Sequence, residues 1–333
     1  MYLKILLATT FATVIFSGCS SKQYFEPKET YSLSTSSMSD EIIHYSRDGA
    51  TLASGTVLTK SKSVKLKLKK GFYFINSNEN VAITADLKGE CNIVNSKGVV
   101  ASAKFPSALV AGTIIGKYLV YVLQNNNYGL YDFQQKKIVY NKEAKKAYAI
   151  DQRIANPLRV DKLVVIPTLD GKLVILDLTT QKIAKELYVS TESSLNNIIY
   201  LGQLNNALIA ATPHKVLSLS NKGKRELDKA VSEVTINNGD IFIFEKDGTI
   251  VKVDELLSIV NEEKFKFAHF SVAGVVSDKV VALDKQGYLI VANRNLSKHK
   301  VYKLSEVDDF AFISGSKLYY DGEMIELSKL SYE

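Results

Sequence analysis

Apolar runs of five or six residues, each closed by a short polar turn, fill the chain from about residue 71 to its end. The unit is clearest at 162–184. Residues 162–166 form an apolar run, Leu169, Asp170 and Gly171 a turn, and 172–176 a second run. Asp177 opens the next turn before a third run at 181–184. Residues 240–254 and 279–293 repeat the frame. Val, Ile, Leu, Phe and Tyr fill the runs, as strands prefer. Helical periodicity is nearly absent, and a short helical turn is expected only at 254–260.

The second turn of each unit falls at Gly89, Asn126, Gly171, His214, Gly248, Gly287 and Gly322. Six residues later stand Asn95, Asp132, Asp177, Ser220, Asp254, Asn293 and Ser328. Gly and Asn tolerate the positive φ that tight hairpin turns need. Asp, Asn and Ser close turns by accepting hydrogen bonds from their own backbone. From 89 to 322 in six steps the mean period is about 39 residues. Four-stranded units at that period predict an all-β fold, a β-propeller of seven four-stranded blades, with eight as the alternative count. The last unit ends at Glu333 with no room for a fourth strand, so an N-terminal strand is expected to close the ring. Residues 51–70 are the expected closing strand. Lys60, Lys62, Lys65, Lys67 and Lys69 alternate there in part with Val64, Leu66 and Leu68, leaving one wet face. A basic patch for an acidic ligand is the other reading of these lysines.

The N-terminal residues follow a different pattern. Lys4 precedes an apolar stretch at 5–16, too short for a bilayer-spanning helix of about 20 residues. The stretch ends at Ser17, Gly18 and Cys19, which resembles the lipobox of bacterial lipoproteins. The resemblance implies a signal peptide at 1–18, cleavage before Cys19, and lipidation of Cys19 with diacylglycerol and a palmitate-class acyl group. An ordinary secretory signal with an incidental cysteine is the alternative. Ser20 at the following position implies the outer membrane, with the protein on its periplasmic face. Residues 19–48 are poor in apolar residues and Ser-rich at 34–39, and are expected to form a lipidated flexible tether before a propeller domain at 49–333.

Composition adds exclusions. A hydrophobic fraction of 46% and a charged fraction of 23% set aside wholesale disorder and a multi-span membrane protein. The net charge of +7 is mild for this length. With Cys19 consumed by lipid, Cys91 has no intramolecular partner and is expected to be a small buried hydrophobe.

No pattern for catalysis emerges. His44, His214, His269 and His299 are far apart and lack zinc spacing. The acidic pairs Glu262–Glu263 and Asp308–Asp309 read as solvated turns rather than calcium ligands. Asp132, Asp177 and Asp254 recur in register, which argues for turn closure. Among the tyrosines, Tyr118, Tyr121, Tyr319 and Tyr320 are expected between blades, while Tyr128 and Tyr131 near turns are candidates for a recognition surface. No catalytic, cofactor-binding or metal residue is assigned, no cofactor is expected, and the chain reads as a non-enzyme.

The Gly171, Leu173, Leu176, Asp177 spacing resembles the repeat of pyrroloquinoline-quinone-type propellers. Quinoprotein enzymes of that type stack their cofactor on tryptophan, and this chain has none. Signal, anchor and repeat together resemble the BamB family of propeller lipoproteins. That resemblance implies a non-enzymatic scaffold binding protein partners of the cell envelope, with the outer-membrane β-barrel assembly complex as the most specific candidate. A structural or adhesive component of another envelope complex is the alternative, and a quinone-dependent enzyme a remote one. The expected form is a monomer within a larger complex, held to the membrane by its lipid, with no nucleic acid.

Overall fold

Each apolar run becomes a strand because its neighbours on both sides are other strands. The computed structural model describes residues 23–333 apart from 61–62, 65, 67, 79–80, 148, 150–152, 192–195 and 308–309. The expected signal peptide at 1–18 and the lipidation site Cys19 lie outside the described residues. The strands pair antiparallel into eight four-stranded sheets. Blades 1 to 7 span 42–64, 73–104, 109–142, 158–188, 200–228, 231–264 and 270–303. Blade 8 takes three strands from 311–326 and its fourth from Ser36–Ser37.

The middle strands of each blade are largely buried on both faces, which is why their runs look continuously apolar, whereas outer strands such as Lys182–Tyr188 and Ile259–Lys264 are mostly exposed. The core divides into eight clusters, one at each blade–blade interface. In Asp240–Glu245 the strand alternation decides the side. Phe242 and Phe244 face blade 7, whereas Ile241 and Ile243 face blade 5. The clusters beside blade 1 hold the fewest fully buried residues: Val57, Phe74 and Ala82 on one side, and Ala50, Leu52, Leu58, Phe312 and Tyr319 on the other. Gly49 is required at the first of these, since a Cβ there would collide with the Phe74 ring.

Several expectations are corrected. The blades number eight, not seven. The missing unit is 42–64, where Gly55, with φ of 82°, occupies the second turn 34 residues before Gly89. Residues 51–70 therefore do not close the ring. They supply strands of blade 1, and closure falls to Ser36–Ser37, with Ser36 opposite Met324 and Ser37 opposite Glu323. Residues 23–48 are not a free tether. Phe25 is buried between blades 6 and 7, Tyr31 bridges to Tyr302 of blade 7, and Ile42–Tyr45 is the inner strand of blade 1. These residues form a belt around the rim, held by backbone hydrogen bonds from Tyr31 N to Val301 O and from Lys303 N to Tyr31 O, both 2.9 Å. The expected helical turn at 254–260 is a hairpin turn leading into Ile259–Lys264, and Glu262 and Glu263 lie on that outer strand. Among the described residues the one helix is the 3-10 turn Leu327–Lys329.

Most turn positions hold as expected; His214 does not have positive φ, and Ser328 lies in the 3-10 turn, where its hydroxyl donates to Glu326 Oε1. Gly89, Asn126, Gly171, Gly248, Gly287 and Gly322 all have positive φ. Asp132 accepts from the N–H groups of Gln134 and Gln135, Asp177 from those of Thr179 and Thr180, and Asn293 from those of Ser297 and Lys298. In an antiparallel meander the second turn and the connection to the next blade share one end. That end of the disc is termed the upper face below.

Candidate functional site

The inner strand of blade 1 is short, and the turn after it enters the central channel. Ser46 anchors that turn by donating to Gly49 O and Ile75 O, each at 3.2 Å. Arg47 then crosses to the far side of the ring. Its Nη1 donates to Ile199 O of the segment entering blade 5 and to Glu233 Oε1 of blade 6, both at 3.0 Å. Its guanidinium lies 4.5 Å from the Tyr200 ring centroid, a cation–π contact. Asp48 accepts from Asn156 Nδ2 at 2.7 Å, and Asn156 Oδ1 accepts from Gly112 N at 2.8 Å. One two-residue turn thus joins blade 1 to blades 3, 5 and 6 and to the segment entering blade 4.

Charge is concentrated at this bridge. Arg153 Nη1 stands 3.8 Å from Glu233 Oε2. Burial alone would raise the Glu233 carboxyl, but Arg47, Lys60 and Arg153 outweigh it and hold the group at about 2. Lys60 is pushed below its ordinary value by desolvation and by Arg47 and Arg153, against the pull of Glu233 and Asp48. Its Nζ lies 5.5 Å from the Phe312 ring. Of the lysines expected to form a wet face, Lys60 and Lys69 are exposed as expected, with Lys69 Nζ 5.3 Å from the Phe72 ring, while Lys62, Lys65 and Lys67 are outside the described residues.

Beside the bridge a cleft of about 380 Å³ opens among blades 1 to 3 and the segments entering blade 4. Ile75, Ala85, Leu109, Ile154 and Leu169 make it apolar, and Leu87 stands 74% exposed at its wall. His44 stacks on Tyr73 at 4.3 Å between ring centroids. Desolvation lowers the His44 pKa, so the ring is neutral near pH 7, and its buried Nδ1 has no hydrogen-bond partner among the described residues. An open apolar groove of this kind suits an apolar segment of a partner.

The other expected residues scatter. His214 sits in the second turn of blade 5, His269 in the connection between blades 6 and 7, and His299 on the outer strand of blade 7 against Phe265. Among the described residues no three His, Cys, Asp or Glu converge as a metal site. Cys91 is buried, and burial pushes its thiol up to about 12. Tyr121, Tyr319 and Tyr320 are buried between blades as expected. Tyr128 and Tyr131 are buried too, so they do not form a recognition surface. Their strand Tyr128–Asp132 packs on both faces, and the turn beside it leaves neither ring free. The bridge residues Arg47, Asp48, Arg153 and Glu233 carried no pattern in the sequence. Only the second-turn register of Gly55, which reveals blade 1, points toward them.

No family model matches the chain. In sequence it is similar to the plasminogen-binding protein PgbB of two Helicobacter pylori strains. The identities are 25% and 24% over 95% of this chain, covering 68% and 67% of the relatives' own lengths. In structure it is similar to BamB from Moraxella catarrhalis at a TM-score of 0.64, with 15% identity over 89% of this chain and 98% of that one. The C-terminal WD40 domain of Sif2 gives 0.64 at 11% identity over 86% and 95%. The computationally designed Ika8 protein gives 0.60 at 14% identity over 90% and 98%. The fold is a β-propeller.

Proposed function

We propose that this chain is a non-enzymatic, lipid-anchored scaffold of the outer membrane that binds a protein partner through the upper-face cleft. The open apolar cleft, with Leu87 exposed at its wall, carries this reading. Propellers bind through loops on a rigid disc, and here the loops of four neighbouring units converge. The anchor is Cys19, and the disc lies on the periplasmic side. The partner is an envelope protein, and shared architecture with BamB favours a role in β-barrel assembly as its most specific form. The sequence similarity to plasminogen-binding proteins favours a second reading, a surface-exposed disc that captures a host protein.

A photocrosslinking residue at Leu87 in the full lipoprotein, followed by mass spectrometry of what is attached, tests both. Recovery of β-barrel assembly subunits supports the first form. Capture of plasminogen on intact cells, with the disc cleaved by added protease, supports the second. Capture that is unchanged by Leu87→Glu would refute the cleft as the binding site.

A further inference from the structure

The belt fixes how far the disc can move from its anchor. Phe25 is 7% exposed and packs edge-on against Phe265 and Tyr288, with ring centroids 6.0 and 5.6 Å away. Phe265 N donates to Gly248 O at 2.9 Å, and Tyr288 follows the turn glycine Gly287. Both mark the upper face at blades 6 and 7. Five residues separate Cys19 from Phe25. Fully extended, six Cα steps reach only about 20 Å. An acyl anchor at Cys19 therefore holds this part of the upper face within about 20 Å of the bilayer surface.

The residues at that place suit a headgroup layer. Tyr24, beside the buried Phe25, is 44% exposed, and tyrosine favours the membrane–water interface. Lys229 and Lys264 are neutralised by Glu245 at 2.8 Å and Asp247 at 2.5 Å. Lys246, Lys266, Lys285 and Lys303 are exposed and make no ion pair among the described residues. Lys266 and Lys303 lie over the Phe267 and Tyr288 rings, at 4.8 and 3.9 Å. Glu26, Glu29 and Glu306 stand nearby and Lys28 offsets one of them, leaving an excess of two positive charges among the described residues, while Asp308 and Asp309 follow Glu306 outside them.

We propose that the upper face at blades 6 and 7 docks on the anionic phospholipid headgroups of the leaflet that holds the anchor. The inference rests on the lipid-anchor reading above. The disc then tilts with blades 6 and 7 lowest. Its cleft, across the ring on the same face, opens toward the membrane side, where an integral membrane protein presents its exposed segments. Each lysine near an anionic surface contributes about fivefold to partitioning at moderate salt.

The test uses the purified full-length lipoprotein in vesicles of phosphatidylcholine with or without 30% phosphatidylglycerol. Single fluorophores are placed by His269→Cys or Ser305→Cys at blades 6 and 7, and by Lys97→Cys at the lower face of blade 2. Quenching by nitroxide-headgroup lipid is read for each. The expected result is several-fold stronger quenching at 269 and 305 than at 97, with the difference shrinking without phosphatidylglycerol. Equal quenching at the three sites in an acylated chain overturns the docking and leaves the anchor intact. An identical difference in both vesicle types overturns the headgroup contact. A chain whose mass shows no acyl group overturns the anchor and the inference with it.

Discussion

Deleting the Arg47 side chain tests whether the channel bridge holds the ring together. Arg47→Ala takes from Glu233 the guanidinium at 3.0 Å and leaves Arg153 at 3.8 Å. Both partners' side chains are about one-tenth exposed, 10% and 9%, so solvent screens the pair little. Removing one partner of a buried pair costs about 3–5 kcal/mol. Arg153 and Lys60 still face the carboxylate, which places the expected loss near 3 kcal/mol. Against the cost of burial, the Glu233 carboxyl falls from 4.5 to about 2 on folding, a shift that Arg47 shares with Lys60 and Arg153, so removing Arg47 alone relaxes only part of it. For a chain of this size the loss lowers Tm by about 5 °C near pH 7. The sign with pH follows from linkage. The folded carboxyl is depressed, so its contribution is present above about 4.5 and is lost as pH falls toward 2. The gap in Tm between the wild type and Glu233→Gln should therefore be several degrees at pH 7 and shrink through that window. Scanning calorimetry with near-UV dichroism measures both. An Arg47→Ala Tm within 1 °C of wild type, or a Glu233→Gln gap equal at pH 7 and pH 2.5, would refute the reasoning. Replacing both partners, as Arg47→Met with Glu233→Leu, should recover most of the loss, because no charge is then left buried alone.

Three further outcomes are expected. Gly49→Ala drives a methyl into the Phe74 ring and should cost about 1–3 kcal/mol, read as a lower urea midpoint at unchanged slope. Phe25→Ala empties the site between Phe265 and Tyr288 and should cost about 3 kcal/mol or more, with faster proteolysis of residues before Ser36. Cys91, with its thiol pushed up to about 12, should resist a thiol reagent at pH 8 in the folded chain and react at once in denaturant. Rapid labelling of the native form would contradict its burial.

Most of the architecture was legible because blades 2 to 8 carry their turn residues in register. Gly and Asn at the second turn, and Asp or Asn six residues later, are local requirements of backbone geometry, so they print directly into sequence. Blade 1 was misread because its strands are only two to four residues long, lysines flank the outer one, and its inner strand lies in a polar stretch that resembles a linker. Ser36–Ser37 is two exposed serines, and a strand of that kind is defined by its partner, Glu323–Glu326, rather than by its own composition. The bridge was hidden for a related reason. Arg47 and Glu233 meet across 186 residues, and no local pattern encodes such a pair. The cleft arises from the spacing of four loops, a property of the ring and not of any one repeat.

Closure by the first strand also governs how the chain reaches its fold. Ser36–Ser37 emerges early in synthesis but pairs with residues 323–324, and Arg47 waits for Glu233. The earliest segment made is thus the last to find its place. Contacts this distant in sequence slow folding, because a long loop must be closed before it is rewarded. Until the final blade is complete, Ser36–Ser37 and the outer edge of blade 8 at Glu323–Glu326 stay unpaired and available to other chains. A partner able to shield those edges during that interval would raise the yield of the closed ring without adding any stability to it.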